Sequence, residues 1–211
     1  MDIHKEVKNQ HLLNAITPAI ALNMLREGNL RFLEQNPIER DHNWHIRKTI
    51  DGQHPFALIH SCIDSRVMPS IIFDQGIGDL FISRIAGNII SKGILGSMEY
   101  ACAITGSKLI VVLGHSSCGA IHGACNNIKL GNLSSSLRKI HPAIDKVRNS
   151  SPFNKVHSQQ AFEDEVALQN IKISIEYIKS HSELLNKMLS EKKIDIIGGF
   201  YHHDTGEVEF C

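Results

Sequence analysis

"KLIVVLGH", residues 108–115, is an unbroken apolar run, β-branched at its centre, that ends on glycine and histidine. Such a run suits a strand covered on both faces, the usual condition of a parallel sheet. Working outward, similar runs return at 55–61, "PFALIHS", at 79–87, "DLFISRIAG", and at 193–200, "KIDIIGGF". Helical spacing fills the intervals: "GILGSMEYACAITG" (93–106), closed by Gly106, then 133–149, then 161–191 with a break near Ser180–Ser182. Upstream, Thr17 reads as an N-cap and Pro18 as the first helical residue of a stretch that continues "AIALNMLREGNLRFLEQ" (19–35). Residues 36–53, rich in arginine and histidine, read as a loop. After the "DTG" turn, "EVEF" (207–210) pairs antiparallel. The expected fold is α/β in one domain, 1–211. It has a mainly parallel central β-sheet with flanking helices, an N-terminal helical arm over 1–36, and an antiparallel C-terminal edge strand.

The 211 residues are 42% hydrophobic and 21% charged, with 22 basic and 22 acidic side chains. A chain of this size can bury a full core. Its zero net charge leaves no basic footprint, so no nucleic-acid partner is expected. No run is long enough to span a bilayer, and "MDIHKEVKNQHLL" lacks the apolar centre of a signal peptide. Five cysteines, an odd number, argue against a disulfide framework and for a reduced cytoplasm.

Chemistry gathers where the two clearest strands end. The first runs into "CIDSR" (62–66), which alternates Cys62, Asp64 and Arg66; in an extended segment these share one face. The second runs into "HSSCGA" (115–120). Ligands of parallel sheets collect beyond the carboxyl ends of the strands. Cys62, Asp64, His115 and Cys118 would therefore meet there, a borderline-soft set that suits Zn²⁺ better than Mg²⁺, Ca²⁺ or an iron–sulfur cluster. Asp64 can bind the metal or pair with Arg66. If it pairs, the fourth position opens to water and the site becomes catalytic.

C-x-D-S-R followed about fifty residues later by H-x-x-C-G resembles the β-class carbonic anhydrases. "GNLRF" (28–32), "SRIAGN" (83–88) and "GSMEYA" (96–101) extend the resemblance over most of the chain. It implies reversible hydration of carbon dioxide to bicarbonate and a proton by zinc-bound hydroxide, with one Zn²⁺ per chain. Cys62, His115 and Cys118 become permanent ligands, and Asp64 with Arg66 a gating dyad. Gln53 matches the glutamine that hydrogen-bonds bicarbonate, Phe81 and Tyr100 match the aromatics of the carbon dioxide pocket, and Gly119 completes the H-x-x-C-G motif beside the substrate. Tyr100 would serve from the neighbouring subunit's side, in a homodimer or homotetramer whose partner receives residues 1–36.

Some positions depart from the pattern. Ile85 stands where many relatives carry asparagine. Ile59 replaces a tryptophan that, with an arginine here matched by Arg84, builds an inhibitory bicarbonate site in some bacterial members, so an unregulated enzyme is expected. His202 and His203 are adjacent in a strand and read as structural or surface residues. Cys102, Cys125 and Cys211 have no motif context, and His60 is one of thirteen histidines that could carry the released proton. Two other readings stand beside this one: a carbon disulfide or carbonyl sulfide hydrolase on the same scaffold, and a non-catalytic interaction protein with structural zinc.

Overall fold

The computed structural model describes residues 8–150 and 158–211. Residues 1–7 of the expected arm lie outside them. The five strands are β1 (Ala57–Ser61), β2 (Leu80–Arg84), β3 (Leu109–His115), β4 (Asp195–Tyr201) and β5 (Val208–Phe210). They form one sheet in the order β2-β1-β3-β4-β5. The first three pairings are parallel and the last is antiparallel, as the sequence led one to expect.

Every residue of β1 and β3 is buried, which explains their unbroken apolar character. Alternate side chains feed two cores. Leu58, Ile110 and Val112 face one, roofed by α5 (Lys92–Glu99), α6 (Gly119–Cys125), α7 (Leu133–Arg138), α8 (His141–Asn149), α9 (Gln159–His181) and α10 (Glu183–Ser190). Ala57, Ile59, Leu109, Val111 and Leu113 face the other, roofed by α1 (Gln10–Ala15), α2 (Pro18–Leu33) and α4 (Pro69–Ile72). The break expected near Ser180–Ser182 falls at Ser182, whose hydroxyl donates to Glu99 at 2.6 Å and accepts from the Leu185 amide at 3.2 Å.

Thr17 caps α2, accepting from the Ile20 amide at 3.2 Å. Midway along that helix Gly28 lies against the backbone of Phe73: a β-carbon there would sit 1.8 Å from the Phe73 carbonyl oxygen. The stretch expected as a loop over 36–53 contains a helix, α3 (His42–Lys48), whose N-cap Asp41 accepts from the Trp44 amide at 2.9 Å. The loop is pinned by Asp74, which takes Arg31 and Arg40 at 2.5 Å each.

One local expectation is corrected. β1 ends at Ser61, so Cys62, Asp64 and Arg66 lie in a turn and strand alternation does not align them. The Val67 amide donates to the Asp64 carbonyl at 2.9 Å, closing that turn.

Candidate metal centre

β1 and β3 are parallel neighbours, with Ser61 opposite Leu113. Their carboxyl ends therefore deliver side chains to one place. Cys62 is the first residue beyond β1, His115 the last of β3, and Cys118 the N-cap of α6 (Gly119–Cys125). Ligating atoms of the three lie within 4.8 Å of one another, and all three residues are buried. The two sulfurs are 3.9 Å apart.

The donor set can be read from the hydrogen bonds. His115 Nδ1 lies 2.9 Å from the Ser116 carbonyl, which can only accept, so Nδ1 carries the proton. Nε2 is left with a bare lone pair, buried and without a hydrogen-bond partner among the described residues. The thiols share a proton: the hydrogen bond from Cys118 pulls the Cys62 thiol below its ordinary range, and the same contact holds Cys118 above its own. The Gly87 amide adds a contact to Cys62 Sγ at 3.4 Å. Gly87 sits at φ +71°, a conformation that favours glycine, and its carbonyl is held by Asn170 at 3.0 Å. Two converging sulfurs and an imidazole nitrogen without a partner among the described residues fit a tetrahedral zinc ion with one position left over.

Asp64 and Arg66 form a fork at the rim of this cluster. Arg66 Nε donates to Oδ1 at 3.0 Å, Nη2 to Oδ2 at 2.8 Å, and the Arg66 backbone amide to Oδ1 at 3.0 Å. The guanidinium holds the Asp64 carboxyl well below the usual carboxylate range. Arg84 braces the turn, donating to the carbonyls of Cys62 at 3.0 Å and Asp64 at 2.5 Å. On the β3 side, Asp164 accepts from the Ser117 amide at 3.1 Å.

The remaining sequence candidates divide. Gly119 opens α6 directly after Cys118 and is exposed. Gln53, also exposed, precedes β1 while Cys62 follows it. The strand's five residues, ~16 Å, therefore separate them. Phe81 pairs with Leu58, toward the amino end of the same strand. It packs edge-on against Tyr100 at 6.1 Å, and both line a surface hollow of about 500 Å³ with Gly93, Gly96 and Ser97. Within one chain, then, Gln53, Phe81 and Tyr100 are not brought to the cysteines. His60 is fully buried, between Ser83 Oγ at 3.2 Å and the Ile89 carbonyl at 3.1 Å, so it is no residue of a solvent-facing mouth.

His203, which the sequence reading makes a structural or surface residue, lies beside this cluster. A ring nitrogen of His203, a carboxylate oxygen of Asp64 and a ring nitrogen of His115 lie within 4.8 Å of one another. The alternation rule misplaced it because β4 ends at Tyr201 and His203 lies beyond the strand.

A family model described as carbonic anhydrase matches residues 57–208. The chain is 34% identical to carbonic anhydrase 2 of Mycobacterium tuberculosis, across 90% of each chain. It is 32% identical to a carbonic anhydrase of Mycolicibacterium smegmatis, across 91% of this chain and 92% of that one. Among solved structures it resembles the β-carbonic anhydrase CcaA, with TM-score 0.74 and 27% identity over 90% of this chain and 94% of that one. The fold is also shared, at TM-score 0.73 and 23% identity, with a tetrameric β-carbonic anhydrase of Sordaria macrospora, over 91% of this chain and 94% of that one. With sequence, fold and strand-end chemistry in agreement over most of its length, the chain belongs to the β-class carbonic anhydrase family.

Proposed function

We propose that this carbonic anhydrase hydrates carbon dioxide reversibly with one zinc ion held by Cys62, His115 and Cys118. The observation that carries the reading is the convergence of two buried sulfurs on the unpartnered Nε2 of His115. When bound there, zinc supplies a Lewis acid that lowers the pKa of water and so makes a nucleophile available.

The chain's own residues do the rest. Arg66 engages both oxygens of Asp64 and keeps the carboxylate from the thiols. Oδ1 already accepts from the Arg66 amide and Nε, whereas Oδ2 takes only Nη2 and has acceptor capacity left over. Asp64 can thus take a hydrogen bond from the attacking group and aim it, a matter of orientation rather than force. Arg84 fixes the backbone from which both residues project.

Gln53, Phe81 and Tyr100 would supply the substrate side from a second copy of the chain, since their own cluster is a strand's length away. The proposed assembly is accordingly a homodimer or a tetramer of such pairs, with the 1–36 segment contributing to the contact.

Stopped-flow hydration with a pH indicator, alongside zinc analysis, tests the reading. Activity should track about one zinc per chain and vanish with a chelator, and Cys118→Ala should lose both metal and turnover. Near-stoichiometric zinc in Cys118→Ala would sink the ligand assignment. Carbon disulfide turned over faster than carbon dioxide would sink the substrate.

A further inference from the structure

His203 lies beyond the end of β4, and the hydration mechanism above gives it no task. Its contacts nevertheless converge on one ligand. The Nδ1 of His203 lies 2.7 Å from the Ser116 carbonyl, the same oxygen that His115 Nδ1 engages at 2.9 Å. A carbonyl has two lone pairs and no proton, so both rings donate to it. The two imidazoles then meet edge-on, with centroids 4.8 Å apart and planes at 75°. The His203 backbone amide donates to Ser116 Oγ at 3.0 Å, and the Ser116 amide donates to the Tyr201 carbonyl at 3.0 Å. Residues 201–203 thus grip Ser116 at its amide, its hydroxyl and its carbonyl.

We propose that His203 is a positioning residue for the metal ligand His115. It orients the one carbonyl that fixes the tautomer of His115, and it walls the ring into the plane that turns Nε2 toward Cys62 and Cys118. Ligand histidines are commonly held this way by an acceptor for their second nitrogen, and disturbing that partner costs ~10–100-fold in metal affinity. Here the acceptor is the carbonyl end of the Ser116–Ser117 peptide group; Asp164 holds the N–H end at 3.1 Å, and His203 fixes the carbonyl end at 2.7 Å.

The inference rests on the reading that Cys62, His115 and Cys118 hold zinc, and the test separates the two. Three variants of the full chain are compared with the parent: His203→Leu, which keeps bulk but has no side-chain N–H; His203→Asn, whose amide N–H falls near the Nδ1 position; and His203→Gln, whose amide reaches toward Nε2. Each is loaded with zinc for release into a strong chelator, and with cobalt(II) for its ligand-field and thiolate charge-transfer spectrum. His203→Leu should release zinc ~10–100-fold faster and shift the cobalt bands. Its kcat should fall while KM stays near the parent value. His203→Asn should restore release rate and spectrum to within a factor of a few, and His203→Gln should not.

A His203→Leu protein that matches the parent in release and spectrum would overturn the proposal. So would rescue by glutamine with none by asparagine, which would put the working nitrogen at Nε2. If His203→Leu fails to fold, as judged by circular dichroism, the asparagine–glutamine pair alone decides. A parent chain that takes up neither metal would remove the zinc reading and this one with it. A parent that loads normally beside three indistinguishable variants removes this one only.

Discussion

Asp64 and Arg66 are two residues apart, and the arginine's backbone and side chain bond the same carboxylate, which is why we propose that they act as one device. Arg66→Ala should retain zinc and lose ~100-fold or more in kcat, since misplacing an orienting group costs on that order. Asp64→Asn should lose about as much. The double variant should be no worse than either single one, by stopped flow with parallel zinc analysis; losses that simply add would separate the pair into independent residues. Two of the other thiols, Cys102 and Cys125, are inert for a different reason. Burial pushes Cys102 up to about 12 and Cys125 up to about 11. Both stay protonated at pH 8, and only the thiolate alkylates readily. Iodoacetamide on the zinc-loaded native protein should mark the exposed Cys211 and spare them, and label found on Cys102 by peptide mass spectrometry would contradict this. The residues proposed as ligands were legible because residue type and spacing carry them. His203 was not, because period two holds only while the chain remains a strand.

Elements follow the same division. The buried strands announced themselves, and so did the cap at Thr17. Helix α3 did not: its seven residues, HNWHIRK, carry no apolar stripe, and its place is set by contacts from far along the chain. His45 is buried there, and Arg40, just upstream, reaches Asp74. Asp74 should therefore matter more than its single charge suggests. Burial raises its carboxyl, but hydrogen bonds from Arg40 and Arg31 outweigh that and leave it below the ordinary value of 3.8. Asp74→Asn strands two arginines, one nearly buried, and should cost about 3–5 kcal/mol by urea unfolding. A depressed carboxylate contributes fully above its unfolded pKa and loses that contribution as pH falls through the folded value. The gap between parent and variant should thus hold at pH 7 and begin to close only below about 3.8; a gap that closed between pH 7 and 5 would point elsewhere. Gly28 sets a second constraint. Gly28→Ala drives a methyl into the Phe73 carbonyl, where no side chain can yield, and should destabilise by about 1–3 kcal/mol or more.

At the scale of the whole molecule, the distance between Gln53 and the cysteines has a genetic test. Gln53→Ala and Cys118→Ala should each be nearly inactive alone. Co-expressed, they should regain activity, because a mixed pair holds one metal site facing an intact Gln53 from the other chain. No recovery would return Gln53 to its own subunit or remove it from the reaction. Regulation is expected to be simple as well. Ile59 is fully buried in the core beneath α1 and α2, where an isoleucine offers an anion neither N–H nor charge. Bicarbonate should inhibit hyperbolically, and a sigmoidal titration would overturn that. The sequence could suggest this division of labour only through resemblance, since no spacing within one chain records what a second copy brings.

The adjacency of β1 and β3 carries one more consequence. Cys62 and His115 are neighbours in space and about fifty residues apart along the chain, so an ion shared by them closes a long loop. Closing such a loop costs an unfolded chain ~3 kcal/mol of entropy. Zinc would then serve this fold as a removable crosslink, tying two strands at one end only. Stripping it should leave the amino ends of β1 and β3 as protected as before and quicken amide exchange at Ser61 and from Leu113 to His115. A cell short of zinc would hold a chain intact in outline but frayed along one rim, and a protease would find that rim first.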